Sequence, residues 1–108
     1  MLNQVRLSTA NDTLLYTPPK YMIVCVTYII ICNDSGGGAN LSLYHHNAGS
    51  SSNANTIIMS TVPFAGNTFH DMSCHIILNT VERNISQLRA IAGTADAFNL
   101  TVYGHEIK

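Results

Sequence analysis

Residues 21–44 read YMIVCVTYIIICNDSGGGANLSLY. The first half is a run of about twelve apolar residues, Tyr21 to Cys32, broken only by Thr27 and rich in β-branched side chains. Such a run has no polar face, so it reads as a strand covered on both sides, in the middle of a sheet. It is too short to span a bilayer, which takes about 20 residues as a helix. Asn33 to Asn40, with three consecutive glycines, is a turn. Leu41 and Leu43 then alternate with Ser42 in a second strand that ends at Tyr44. Strand, tight polar turn and strand set the pattern for the rest of the chain.

Leu14 to Thr17 is a short strand stopped by Pro18-Pro19, since proline cannot donate to a ladder. Thr56 to Pro63 is another, and Ala65 to Asn67 turns the chain. Thr68 to Met72 and His75 to Leu78 read as two short strands meeting at a corner around Asp71 to Ser73, residue types that favour turns. Val81 to Gly93 could carry a helical stripe of Ile85, Leu88 and Ala92. Asn84, Ile85 and Ser86 are weak helix formers, however. Read with period two, Leu88, Ala90 and Ala92 share one face, and a strand is favoured. Phe98, Leu100 and Val102 alternate with Asn99, Thr101 and Tyr103 in the last strand. About eight strands at this short spacing predict an all-β chain, a single antiparallel β-sandwich of jelly-roll-like character. The polar residues 1–13 read as an N-terminal arm, and residues 14–108 as the sandwich domain.

The chain has 108 residues, of which 46% are hydrophobic and only 10% charged, with a net charge of −1. That suffices for one core without metal or disulfide staples. Charge is well below the ~25% of an average soluble domain. The scattered basic residues Arg6, Lys20, Arg83, Arg89 and Lys108 form no patch for nucleic acid or anionic lipid. Neither is expected as a partner. Asn, Ser and Thr, at 11, 9 and 10 residues, replace the missing charges. A surface of short neutral polar groups suits a protein largely covered by other protein. Cys25 and Cys32 would lie roughly 23 Å apart at about 3.3 Å per strand residue, and with Cys74 they read as free thiols acting as small hydrophobes. The N-terminus has no apolar leader segment. The five Asn-x-Ser/Thr triplets, at Asn11, Asn33, Asn40, Asn84 and Asn99, are expected by chance in so Asn-rich a chain.

Phe69 to Leu78, FHDMSCHIIL, concentrates His70, Asp71, Cys74 and His75. The spacings His70-x3-Cys74 and His70-x4-His75 resemble metal-ligand spacing. They converge on a helix, whereas strand alternation splays them, so no metal site is expected. Cys74 and His75 are neighbours, and on a strand they point to opposite faces rather than forming a nucleophile–base pair. The six acids form no evident pair, and the glycines at 36–38 lack the lysine of a phosphate loop. No catalytic residue, no cofactor and no enzyme activity are expected. The candidate contact residues are Tyr44, His45 and His46, at the mouth of a long polar loop from His45 to Asn55. There Tyr44 offers a stacking surface.

Three stretches, Leu14 to Tyr44, Val62 to Leu78 and Leu88 to Ile107, together resemble small β-sandwich virion proteins of tailed bacteriophages. The matching features are Tyr16-Thr17-Pro18, Cys32-Asn33, Val62-Pro63 and the closing strand Asn99-Leu100-Thr101-Val102-Tyr103-Gly104-His105-Glu106. Pro19-Lys20 and Glu82-Arg83-Asn84 depart from the family's loops. The resemblance implies a structural subunit assembled in the host bacterial cytoplasm and located in the virion. It implies a homo-oligomer, expected as a trimer, whose partners are the major capsid protein or other virion proteins. Within that class a capsid decoration or cement protein is favoured over a neck, tail or fibre subunit. A host-glycan-binding module using Tyr44, His45 and His46 is the competing reading.

Overall fold

The computed structural model describes residues 1–46, 57–80 and 86–107. Eight strands lie within them: β1 (Asn3–Leu7), β2 (Thr13–Tyr16), β3 (Ile23–Asn33), β4 (Ala39–His46), β5 (Ile57–Phe64), β6 (Thr68–Asn79), β7 (Gln87–Ala92) and β8 (Phe98–Glu106). They form two four-stranded sheets, in the orders β1-β8-β3-β6 and β2-β7-β4-β5. Every pairing is antiparallel. The first strand pairs with the last, the second with the seventh, the third with the sixth and the fourth with the fifth. The chain is thus one long two-stranded ribbon. Wrapping the ribbon on itself adds the pairs β3–β8 and β4–β7. This winding is the jelly roll.

The long apolar run is β3, and it is central as its two-sided pattern requires, with β8 on one side and β6 on the other. Its inward residues Val26, Ile29 and Ile31 join Leu41, Leu43, Leu78, Leu88, Phe98, Leu100 and Val102 in the core. Burying each of these contributes about 1.5–3 kcal/mol relative to leaving it exposed. Cys25, Cys32 and Cys74 are all free thiols.

Between Val26 and Tyr28 the register slips against both neighbours. Thr27 has no counterpart in β8, and Cys74 and His75 together oppose Thr27 from β6. Such bulges bend a strand and raise its twist. Gly104 occupies the β8 side of the bulge, opposite Val26. A Cβ there would stand 2.2 Å from the Cys25 carbonyl oxygen, so glycine is required by close backbone approach.

The β3–β4 turn is held by Asn33, which is buried at the end of β3. Its Nδ2 donates to the carbonyls of Gly37 and Phe64, both at 3.1 Å. Its Oδ1 accepts from the Ser35 amide at 3.1 Å and the Ser35 hydroxyl at 2.7 Å. The β5–β6 turn packs onto this turn so closely that a Cβ on Gly66 would lie 2.8 Å from the backbone of Gly36 and Gly37. One asparagine therefore ties two hairpins together.

Two expectations are corrected. The first is the corner in Thr68–Leu78. β6 is one strand of twelve residues. Asp71 and Ser73 sit mid-strand and pair with Ile30 and Tyr28. The ladder to β3 overrides the turn preference of these residues. The second is the arm. Residues 3–7 form β1, in register with β8 from Asn3↔Val102 to Leu7↔Phe98, and Leu7 is buried in the core. Residues 3–7 thus pack as an edge strand of the sandwich, while residues 8–12 form the exposed turn to β2. The expected count of eight strands survives because one merger and one addition cancel. The strand reading of Leu88 to Ala92 stands as β7, with Leu88, Ala90 and Ala92 all buried. Residues 81–85 of that stretch lie outside the described residues.

Replacing Asn33 by Ala takes the side-chain donor from the Phe64 carbonyl in a buried setting and removes three bonds that shape the β3–β4 turn. We expect a loss of about 3 kcal/mol, read as a lower urea midpoint at unchanged slope. Gly104→Ala should lose at least as much, because the backbone of Cys25 has no room to yield.

Candidate functional site

The three candidate contact residues lie at the end of β4, which runs to His46, two residues beyond the strand end expected at Tyr44. Alternation along the strand separates them. Tyr44 and His46 lie on the outward face of the second sheet, opposite Arg89 and Gln87 of β7, where Tyr44 is partly exposed but His46 is buried, at 5% exposure. His45 lies opposite Leu88, a fully buried core residue, and so points inward. The sequence grouped the three by adjacency, and the sheet divides them two to one.

Tyr44 and His46 meet edge to face, with ring centroids 6.4 Å apart. Beside them Arg89 donates through Nε to Asp12 at 2.6 Å and through a terminal nitrogen to the Gln87 side-chain oxygen at 3.0 Å. The outward patch therefore presents one partly exposed ring, Tyr44, backed by the buried His46 ring, beside a fixed row of a carboxylate, a guanidinium and an amide. Burial pushes the His46 pKa down. Nearby Asp12 opposes that shift, and Arg89 adds to it. Asp12, Gln87 and Arg89 were missed as a group by sequence reading, because they come from two other segments and only the β2–β7–β4 pairing brings them beside Tyr44. The remainder of the polar loop, residues 47–55, lies outside the described residues.

His45 is half-buried. Its Nε2 is shut off from solvent and has no hydrogen-bond partner among the described residues. Burial, with a smaller contribution from His46, lowers its pKa. The neutral ring is the form that the fold holds.

The FHDMSCHIIL stretch is divided in the same way. His70 and Cys74 lie on the inner side of β6. His70 stands edge-on to Phe64 at 5.1 Å, and the Cys74 thiol donates to the Val26 carbonyl at 3.6 Å. Asp71 and His75 lie on the outer side. Asp71 accepts from the Tyr28 hydroxyl at 2.5 Å, and His75 Nδ1 is 3.5 Å from Cys25 Sγ. Among the described residues, no three His, Cys, Asp or Glu side chains are grouped to hold a metal. The thiol that meets a histidine is that of Cys25, which is only 2% exposed and out of reach of a substrate. Burial pushes the Cys74 thiol pKa up, away from the thiolate that a nucleophile needs. A third polar cluster closes one end of the sandwich. Arg6 of β1 donates to Asp34 and, at 3.0 Å, to the Asp96 carboxylate, and also to the Asp96 carbonyl at 2.8 Å. It clamps the β3–β4 and β7–β8 turns, and Asp34 is held below the usual carboxylate pKa by the guanidinium.

No protein-family model matches the chain, and no curated protein sequence matches it. Among solved structures, a chain in the structure of infectious bursal disease virus Gx strain superposes with a TM-score of 0.51 at 12% sequence identity. The match covers 94% of this chain and 30% of that one. The two share the fold. This chain spans about a third of the viral chain's length.

The depressed pKa values of His45 and His46 set a pH dependence. Each histidine in the unfolded chain takes up a proton near its ordinary pKa of 6.5, while the folded protein resists it to lower pH. Stability is therefore full above about pH 6.5 and falls as pH drops through the window below it. Thermal unfolding measured from pH 8 to pH 5 should show this decline, and His45→Leu should flatten part of it.

Proposed function

We propose that this chain is a structural subunit of a virion. The observation that carries the reading is the jelly-roll winding, shared over nearly the whole chain with part of a chain in a virus structure. A fold of this kind hosts viral shell domains and lectins alike, so composition and surface must choose between them. Low charge and a surface of neutral polar groups favour a subunit covered by neighbours. The resemblance of residues 14–107 to small virion proteins of tailed phages narrows the proposal to a capsid decoration or cement protein, seated as a closed oligomer on the head lattice. Many weak contacts at repeated junctions then add through multivalency.

A second reading rests on Tyr44, partly exposed beside Asp12, Gln87 and Arg89, with the buried His46 ring set edge-on against it. An aromatic face flanked by fixed hydrogen-bonding groups suits a sugar ring. Binding on a glycan array that is lost with Tyr44→Ala would favour it.

The virion reading is tested on particles purified from the virus that encodes the chain. Quantitative mass spectrometry should find it in fixed proportion to the main shell subunit, and particles lacking it should break at lower temperature. Purified particles without the chain would overturn the proposal.

A further inference from the structure

The sandwich has four sheet edges, and three of them are blunted. β1 is five residues long and carries Arg6, whose guanidinium is held by Asp34 and Asp96. β2 is four residues long and runs into Pro18-Pro19. β5 contains Pro63, and Thr61 within it adopts φ 46°, a bulged backbone held by the Ser42 hydroxyl that accepts from the Thr61 amide at 2.8 Å. Short edges, prolines and bulges are the devices that keep strands from pairing with other chains. β6 is different. It is twelve residues long, has no proline and no lysine, has β3 on one side only, and its one bulge, at Cys74 and His75, leaves the alternation of its faces intact. It also carries two of the exposed large hydrophobic side chains, Phe69 at 70% and Ile77 at 38% exposure.

The outward row of β6 reads Phe69, Asp71, Ser73, His75, Ile77. This row is symmetric in its chemistry about Ser73: apolar, acid, small, imidazole, apolar. Alternation of exposed and covered residues continues unbroken through the bulge at Cys74 and His75, with Met72, Cys74, Ile76 and Leu78 on the covered side. Antiparallel pairing of β6 with a second β6 about a twofold axis at Ser73 sets Asp71 opposite the other copy's His75 and Phe69 opposite its Ile77. Other twofold registers fail. Centring on Asp71 opposes two carboxylates. Centring on His75 sets Ile77 against Ser73. Centring on Met72 sets Phe69 against His75, and on Cys74 it sets Ile77 against Asp71. In the Ser73 register each acid meets an imidazole and each apolar group meets an apolar group, twice over by symmetry. His75 engages Cys25 through Nδ1, which leaves Nε2 to meet the partner's carboxylate.

We propose that β6 is a self-association edge, joining two copies of this chain about a twofold axis at Ser73 into one continuous eight-stranded sheet. The occupant is a second copy because the edge is complementary to itself in charge and in apolar pattern, as an isologous contact must be. Directly opposed cross-strand pairs of these kinds are the unit of sheet stabilisation. The contact is distinct from any threefold closure and stands whether or not the chain belongs to a virion.

Light scattering after size-exclusion chromatography at about 0.1 mM, where a micromolar contact is saturated, should give an even multiple of the 11.7 kDa chain. His75→Asp opposes two carboxylates in each half of the contact and should raise the dissociation constant about tenfold or more. Asp71→His combined with His75→Asp restores the complement and should recover it. Tyr28→Phe, which removes only the intramolecular bond to Asp71, should leave the mass unchanged. The register is read independently. Ser73→Cys, made with Cys74→Ala, should form an intermolecular disulfide on mild oxidation, since directly opposed residues stand about 4.5–5.5 Å apart. Phe69→Cys in the same background should not. Ser73 and Phe69 are exposed, Cys74→Ala trims only a thiol packed against the core, and circular dichroism checks that each variant is folded. A monomer or an odd multiple for the wild type would overturn the proposal, and so would an even multiple that ignores His75→Asp or cross-links through Phe69→Cys but not through Ser73→Cys.

Discussion

The pairing of β3 with β8 is the constraint on which the rest of the structure depends. β3 is apolar on both faces and cannot stand at a sheet edge without exposing Ile29, Ile30 and Ile31 together. β6 comes to it through the neighbouring hairpin. β8 comes from the far end of the chain, with Ile29 opposite Val102 and Ile31 opposite Leu100. Only when β8 arrives are both flanks of β3 paired and its inward side closed against β4 and β7. The contact joins segments far apart in sequence, from Asn33↔Phe98 to Val24↔Glu106, so its loop-closure cost precedes its reward. The jelly-roll winding is the geometric outcome of meeting that demand with a single ribbon.

Local details serve the same closure. Asn33 ends β3, closes its own turn with three hydrogen bonds and ties it to the end of β5 with a fourth, to the Phe64 carbonyl. Thr80 clasps the other end of the ribbon, donating to the Pro19 carbonyl at 2.5 Å and accepting from the Met22 amide at 3.2 Å. Arg6 brings the first strand and two turns together. The protein thus spends its few charged and buried polar groups on joining loops that are distant in sequence, and little charge remains for the surface. What covers that surface is the functional question, and the unblunted β6 edge and the Tyr44–His46 patch stand on different sheets as separate answers to it.

Much of the fold was legible because strand periodicity is local. The two-sided apolar run of β3, the alternation of Leu41 and Leu43, and that of Leu88, Ala90 and Ala92 each identify a strand and its inward face from neighbouring residues alone. Failures came where tertiary pairing overrode local preference. Asp71 and Ser73 favour turns in isolation but are held in the β6 ladder by Ile30 and Tyr28. The alternation of His70, Met72, Cys74, Ile76 and Leu78 against Phe69, Asp71, Ser73, His75 and Ile77 was the signal that outweighs them. The polar residues of β1 contain Val5 and Leu7 at strand spacing, too brief a pattern to show without β8 beside it.

The candidate site divides along the same line. Sequence alone determined that Tyr44, His45 and His46 are adjacent, that basic residues are few and scattered along the chain, and that the chemistry-bearing residues of Phe69–Leu78 would diverge on a strand. It could not decide that His45 turns inward while Tyr44 and His46 turn out, or that Asp12, Gln87 and Arg89 join them. Nor could it decide which of eight strands lies at an edge. Periodicity is fixed by the bond geometry of each residue and its neighbours, so it is written in the sequence. Strand order, register and exposure are fixed by which distant segments pair, and that is settled only when the whole ribbon closes around one core.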